Sequence, residues 1–139
     1  MAKFISDSIY FNTGRFEFDF KLNGGVTLIL GDSSSGKTLF FNKLRAMEVG
    51  SSLGKYRFLN GYNNTDEVKA LCKMYKDQII VLDNADILID LELRNLIHSD
   101  ENNQYIIMSR YVNMYPVERN CIAFIREFNR RFELRYLSR

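Results

Sequence analysis

A short stretch of the chain carries residue types that are suited to binding phosphate. Residues 31–38 read GDSSSGKT and match the pattern G-x-x-x-x-G-K-[ST] in full. Gly31 and Gly36 let the backbone turn tightly and approach an anion, and the N–H groups of such a loop point at phosphate. Lys37 adds a positive point charge, and the Thr38 hydroxyl is a suitable ligand for Mg²⁺. The stretch therefore predicts a phosphate site that also holds a magnesium ion.

The sequence on either side predicts the elements that such a loop needs. Residues 26–30 form a short apolar run typical of a buried strand, and apolar residues at helical spacing follow over residues 39–44. Strand, glycine-rich turn and helix together resemble the phosphate loop of P-loop nucleotide-binding proteins. This resemblance implies that the nucleotide is contacted by Gly31, Asp32, Ser33, Ser34, Ser35, Gly36, Lys37, Thr38 and Leu39.

A second candidate segment, residues 78–83, reads QIIVLD. Four aliphatic residues followed by an acid predict a buried parallel strand with a carboxylate at its C-terminal end. Ligands of open α/β sheets bind at those strand ends, so Asp83 is predicted to face the phosphate loop. The segment resembles a Walker B strand, in which the acid holds Mg²⁺ directly or through water. Thr38 and Asp83 are therefore the predicted metal ligands.

The composition indicates one globular domain that spans residues 1–139. The chain is 46% hydrophobic and 26% charged, which is sufficient for a core and is unlike a disordered chain. A net charge of +2 gives only weak support for nucleic-acid binding. Two cysteines do not suggest a disulfide framework, and no apolar run is long enough for a membrane helix. We therefore expect a cytoplasmic protein that is not inserted in a membrane.

The order of predicted elements indicates an α/β fold. We expect a mostly parallel five-stranded P-loop sheet flanked by helices, with antiparallel strands at the N- and C-terminal ends. Helices are predicted after Thr38 to about residue 47, over residues 66–75 with Thr65 as N-cap, and over residues 90–98. The predicted strands are residues 3–10, 15–22, 26–30, 56–60, 78–83, 105–108, 121–125 and 132–137.

The strand and helix predicted between residues 56 and 75 resemble the additional-strand division of P-loop ATPases, which includes the ABC, AAA and RecA-like families. In that division one strand lies between the phosphate-loop strand and the Walker B strand, and here it would be residues 105–108. The resemblance implies an ATP- and Mg²⁺-dependent ATPase that hydrolyses the γ-phosphate. A polar sensor follows the middle strand in such families, and Ser109 and Arg110 occupy that place. Arg119 is a further candidate to reach the γ-phosphate.

The sequence also departs from these families. They usually place a glutamate directly after the Walker B aspartate, whereas this chain has Asn84. An amide orients water but does not accept its proton, so we expect slow or partner-dependent hydrolysis. Asp86 is a candidate substitute for the missing acid. The ABC signature LSGGQ is absent, and the chain has no room for the AAA lid. The predicted catalytic residues are Lys37, Asn84, Asp86, Ser109 and Arg110.

Other functions remain open at the level of the sequence. A nucleotide-gated interaction module with little or no hydrolysis fits Asn84, and a small-molecule kinase is a further alternative. ATP is expected rather than GTP, because no guanine-specific N-K-x-D follows a late strand. We also expect a protein partner or self-association to complete the site. Arginines near the C-terminus suggest either a hairpin with one solvated face or a surface for a phosphate backbone or an acidic partner.

Overall fold

The computed structural model describes residues 2–32, 35–49, 55–111 and 117–137. Within these ranges the protein is α/β, with one mixed sheet of eight strands and four α-helices, so the predicted fold class is confirmed at that level. The strands are β1 (Ser8–Asn12), β2 (Glu17–Lys21), β3 (Val26–Leu30), β4 (Tyr56–Asn60), β5 (Ile79–Asp83), β6 (Gln104–Ser109), β7 (Ile122–Phe128) and β8 (Arg131–Tyr136). The helices are α1 (Lys37–Val49), α2 (Thr65–Met74), α3 (Ala85–Leu88) and α4 (Leu91–Ser99), and a 3₁₀ turn, Arg119–Cys121, precedes β7.

The strand order of the sheet is β1-β2-β8-β7-β3-β6-β5-β4. The last five strands in this order, β7, β3, β6, β5 and β4, are all parallel to one another. Strand β6 lies between β3 and β5, which confirms the position predicted for residues 105–108. The hairpins β1–β2 and β7–β8 are antiparallel and meet through a parallel pair of β2 with β8. The carboxyl ends of β3, β4, β5 and β6 therefore meet at one edge of the sheet.

Two apolar cores lie on opposite faces of the sheet. Successive residues of β3 alternate between them, with Leu28 in one core and Ile29 in the other. Helix α1 covers the face of Ile29, and helices α2 and α4 cover the face of Leu28. Within the described residues, no helix is long and apolar enough to cross a membrane. The sheet is thus fixed from both sides where its parallel strands run.

An aromatic cluster joins the N-terminal hairpin, β8 and α1. The ring of Phe18 stacks on Phe11 and on Phe132, each with a centroid distance of 4.7 Å. Phe40 of α1 lies 4.5 Å from Phe20 and 6.0 Å from Phe18, measured between ring centroids. The alternating phenylalanines of β2 are therefore the buried face of a strand, as their spacing predicts. Because aromatic pairs add to the energy of burial, this cluster anchors both hairpins to α1, the helix that follows the glycine-rich loop.

Three local predictions differ from the structure. Strand β1 begins at Ser8 rather than residue 3, because the backbone N–H groups of Ile5 and Ser6 donate to Oε1 of buried Gln104. The N-cap of α2 is Asn64 and not Thr65, since Oδ1 of Asn64 accepts from the N–H groups of residues 66 and 67. Helix α3 is not predicted, because its four residues are too few to show a helical period.

The C-terminal arginines lie on a hairpin, as one of the two alternatives predicts. Strands β7 and β8 are joined by Asn129 and Arg130, whose φ angles of 50° and 64° are typical of a type I′ turn. Arg131 binds Glu17 at 2.6 Å and Asp19 at 2.7 Å on the outer face of β2. These ion pairs fix the register in which the two hairpins meet.

We predict that Phe18→Ala lowers the free energy of unfolding by about 3–5 kcal/mol, because it removes a fully buried ring that stacks on two others. The measurement is chemical denaturation followed by circular dichroism. Phe128→Ala is the matched control, since its ring is 69% exposed and its loss should cost little. Equal losses for the two variants would contradict the role given to the aromatic cluster.

Candidate functional site

The loop between β3 and α1 depends on two glycines with positive φ. Gly31 has φ of 152° and Gly36 has φ of 96°. A Cβ atom on Gly31 would lie 2.4 Å from Oγ of Ser35, so no larger residue fits there without moving the loop. The backbone N–H of Ser35 donates to the carbonyl of Asp32 at 3.2 Å. The predicted ligands Ser33 and Ser34 lie outside the described residues.

Lys37, the first residue of α1, turns its amine back into this loop. The Nζ atom donates to the carbonyls of Gly31 and Asp32, the latter at 2.7 Å, and to Oγ of Ser35 at 3.0 Å. Burial lowers the pKa of the Lys37 ammonium, and the carboxylate charges of Asp32 and Asp83 act in the opposite direction. A buried cation therefore lies against the loop backbone, where an anionic ligand would meet it.

A cleft of about 230 Å³ opens beside this lysine at the carboxyl edge of the sheet. Thr38 reaches it from the start of α1, and Asp83 from the end of β5. The side chain of Asp83 is almost fully buried, and its Oδ1 accepts the N–H of Asn84 at 2.9 Å. Burial raises the pKa of this carboxyl group, while the charge of Lys37 lowers it. The residues that line the cleft are Lys37, Thr38, Tyr62, Asp83, Asn84, Asp86, Ile87 and Arg110.

A carboxylate and a guanidinium lie side by side in the lining of the cleft. Asp86, on α3, has an Oδ2 atom 3.7 Å from Nε of Arg110. The guanidinium of Arg110 also lies 5.6 Å from the ring centroid of Tyr111. The side chain of Arg110 remains half exposed, whereas that of Asp86 is largely buried. Arg110 is therefore placed beside the cleft with freedom to approach a ligand in it.

Three other predicted residues lie away from the cleft. The Ser109 hydroxyl is buried and exchanges hydrogen bonds with the backbone of Tyr111, at 3.1 Å and 3.2 Å. Its carbonyl accepts the N–H of Gly31 at 3.2 Å, so Ser109 supports the loop. Leu39 is half-buried and its side chain packs on the aromatic core. Arg119 lies at the opposite sheet edge, because it precedes parallel strand β7; the expectation that it reaches a γ-phosphate is wrong.

The segment after β4 contributes residues that the sequence analysis did not identify. Asn60 ends β4 beside Asp83, and the N–H of Gly61 donates to the carbonyl of Asp83 at 2.7 Å. Tyr62 then lines the cleft with its side chain 78% exposed. The sequence does contain a signal for these residues, because an Asn-Gly pair, Asn60 and Gly61, lies at the end of β4. Since β4 and β5 are parallel, β4 ends at the same edge of the sheet as Asp83.

Comparisons of the chain with protein-family models, with curated proteins and with solved structures give no match. Among the described residues, no group of three or more His, Cys, Asp and Glu side chains is arranged to hold a metal ion. Any assignment of function therefore depends on the loop and the cleft themselves.

We predict that Asp83→Asn raises the free energy of unfolding at neutral pH. Burial raises the folded-state pKa of Asp83, so the folded protein binds more protons than the unfolded chain between the two pKa values. The wild type consequently loses stability as the pH rises from the unfolded pKa through the folded pKa, and the asparagine variant does not. Denaturation curves across this range should show a difference that is largest at neutral pH and disappears near pH 3. A constant difference at all pH values would contradict the assignment.

Proposed function

We propose that the chain is a Mg-ATP-binding P-loop domain of the additional-strand division, with slow or partner-dependent hydrolysis. The observation that carries this proposal is the meeting of Lys37, Thr38 and Asp83 in one cleft. The first two residues begin the helix after a glycine-rich loop, and the third ends a buried strand far away in the sequence. A cation, a hydroxyl and a carboxylate at the end of a glycine-rich loop are the groups that a nucleotide with Mg²⁺ requires.

The order of the parallel strands supports the same class. Strand β6 separates β3, which leads into the loop, from β5, which carries Asp83. This is the arrangement by which the additional-strand division differs from other P-loop proteins. We therefore assign β3, β4, β5, β6 and β7 as the P-loop sheet, to which β8 and the β1–β2 hairpin are additions.

The residues present fit both ligands. Positive φ at Gly31 and Gly36 fits the tight turns that a phosphate-binding loop needs, and Lys37 is already directed into the loop. Mg²⁺, when bound, would neutralise phosphate charge and join the phosphates to the protein. Thr38 and Asp83 are the residues that would hold it, since both line the cleft and both offer oxygen. Asp83 would then be stabilised as a carboxylate.

In the proposed hydrolysis, the side chains of the protein orient the reacting groups and form no covalent bond with the substrate. Water attacks the γ-phosphate in line with the leaving oxygen, and ADP departs. Asn84 orients that water but does not take its proton, and Asp86 is assigned to accept it, because Asp83 would hold Mg²⁺. Arg110 leaves its contact with Asp86 to neutralise the developing charge, which also frees the carboxylate.

A nucleotide-gated interaction module is the second candidate. The amide at position 84 disfavours rapid turnover, and two exposed apolar side chains border the cleft. Tyr62 is 78% exposed and Ile87 is 57% exposed. Apolar side chains at the mouth of a phosphate site support a protein partner or a second copy that covers it. In this proposal, bound nucleotide changes the surface that such a partner contacts.

We predict that the protein binds a fluorescent ATP analogue with Mg²⁺ and that Lys37→Ala weakens binding by at least about tenfold, or about 1.4 kcal/mol. The variant removes the buried cation of the loop. Fluorescence anisotropy gives the Kd. Lys73→Ala is the control, because this lysine is exposed at the end of α2 and outside the cleft. If both variants bind as the wild type does, the loop is not the nucleotide site.

We predict that Asn84→Glu raises the rate of phosphate release from Mg-ATP above that of the wild type, because it restores a proton acceptor beside Asp83. General-base catalysis typically contributes about 10²-fold or more, so an increase of at least about tenfold is expected. The double variant with Lys37→Ala should be inactive, which excludes a contaminating ATPase. Faster turnover by the wild type than by Asn84→Glu would show that the amide is not the limiting feature.

A further inference from the structure

We propose that Asn60 is a positioning residue that holds the side-chain amide of Asn84 with its carbonyl oxygen toward the phosphate cleft. The inference rests on the proposed nucleotide site for its functional meaning, but its geometry is independent of any ligand. Asn60 reaches Asn84 from the neighbouring strand, at the end of β4.

Asn60 is itself fixed by a tight turn. Its backbone N–H donates to Oδ1 of Asn63 at 2.7 Å, and its carbonyl accepts the N–H of Asn63 at 2.8 Å. Its side-chain Oδ1 accepts the N–H of Tyr62 at 3.0 Å, as in an Asx turn. This hydrogen bond fixes the orientation of the Asn60 amide. Its oxygen, and not its NH₂ group, therefore faces the neighbouring strand β5.

The side-chain NH₂ group of Asn84 donates to this oxygen. Nδ2 of Asn84 donates to Oδ1 of Asn60 at 3.3 Å. Nδ2 and Oδ1 lie on opposite sides of an amide, so the carbonyl oxygen of Asn84 is turned away from β4. The strand on the other side of β5 is β6, which ends at Ser109 and is followed by Arg110 of the cleft. The acceptor end of Asn84 is therefore directed toward the cleft.

The backbone holds the same pair together. Asn84 has a left-handed conformation, with φ of 51° and ψ of 42°, as it turns the chain from β5 into α3. Gly61 packs so closely that a Cβ atom on it would lie 2.0 Å from the carbonyl oxygen of Asn84. The two turns that follow β4 and β5 thus fit together only with glycine at position 61.

The orientation has a chemical consequence. A carbonyl oxygen facing the cleft accepts an O–H from water, whereas an amide turned the other way would donate N–H to phosphate oxygens. Asn60 therefore selects water binding over direct phosphate binding at Asn84. Asn60 needs only an acceptor for this, so aspartate should replace it and leucine of similar size should not.

The direct test is NMR of the Asn84 side-chain amide without nucleotide. Its two N–H signals are assigned by their loss in Asn84→Ala. In Asn60→Leu the hydrogen-bonded signal should move upfield and exchange with water faster, and in Asn60→Asp both features should return toward the wild type. Unchanged Asn84 signals in Asn60→Leu would overturn the proposal. Denaturation curves for both variants confirm that the fold is intact, and Asn60→Asp provides the test if Asn60→Leu does not fold.

The functional test separates binding from turnover. The Kd for Mg-ATP should change less than about threefold in both variants, while kcat should fall about tenfold in Asn60→Leu and recover in Asn60→Asp. If the wild type binds without turnover, Mg-ATP should shift the Asn84 signals in the wild type and in Asn60→Asp only. Equal kcat, or equal shifts, in Asn60→Leu and the wild type would overturn the positioning role. Absence of Mg-ATP binding by the wild type would instead overturn the proposed function, and the ligand-free spectra would still decide the orientation.

Discussion

The candidate site depends on a constraint of parallel sheets, namely that strands running in one direction end at one edge. Strand β3 delivers the glycine-rich loop to that edge, β5 delivers Asp83, and β6 delivers Arg110. Strand β4 adds Asn60 at the same level as Asp83. No contact between these side chains is needed to bring them together. Their meeting follows from strand direction and order, which the two apolar cores hold in place.

The cleft contains two opposite charges, on Lys37 and Asp83, and burial disfavours the charged form of each. Burial lowers the pKa of Lys37 and raises that of Asp83, and each charge partly offsets the effect on the other. Burying these charges lowers the free energy of unfolding of the ligand-free protein, and apolar burial in the two cores offsets this loss. The aromatic cluster that includes Phe18 and Phe40 lies directly beside α1, whose first residue is Lys37. The aromatic cluster thus adjoins the helix that carries one of these two unfavourable charges.

Much of the fold and part of the site follow from local sequence patterns. The loop, the strand that ends at Asp83 and the middle position of β6 all derive from short motifs and element order. Other features depend on contacts through space that no local pattern encodes. The Ser109 hydroxyl bonds to the backbone of Tyr111, and Asn60 reaches Asn84 from the adjacent strand. Asp86 could be placed in the cleft only once the short helix α3 was known.

The pairing of β2 with β8 has a consequence for how this protein is made. Residues 17–19 pair with residues 131–133, so the N-terminal hairpin has no neighbour on that side until β8 has been synthesised. Phe132 also borders the glycine-rich loop, because a Cβ atom on Gly36 would lie 3.5 Å from its ring. This wall of the loop therefore forms only after β8 has left the ribosome. Until then Phe18 of β2 lacks one of its two stacking partners and is accessible to chaperones and to other nascent chains.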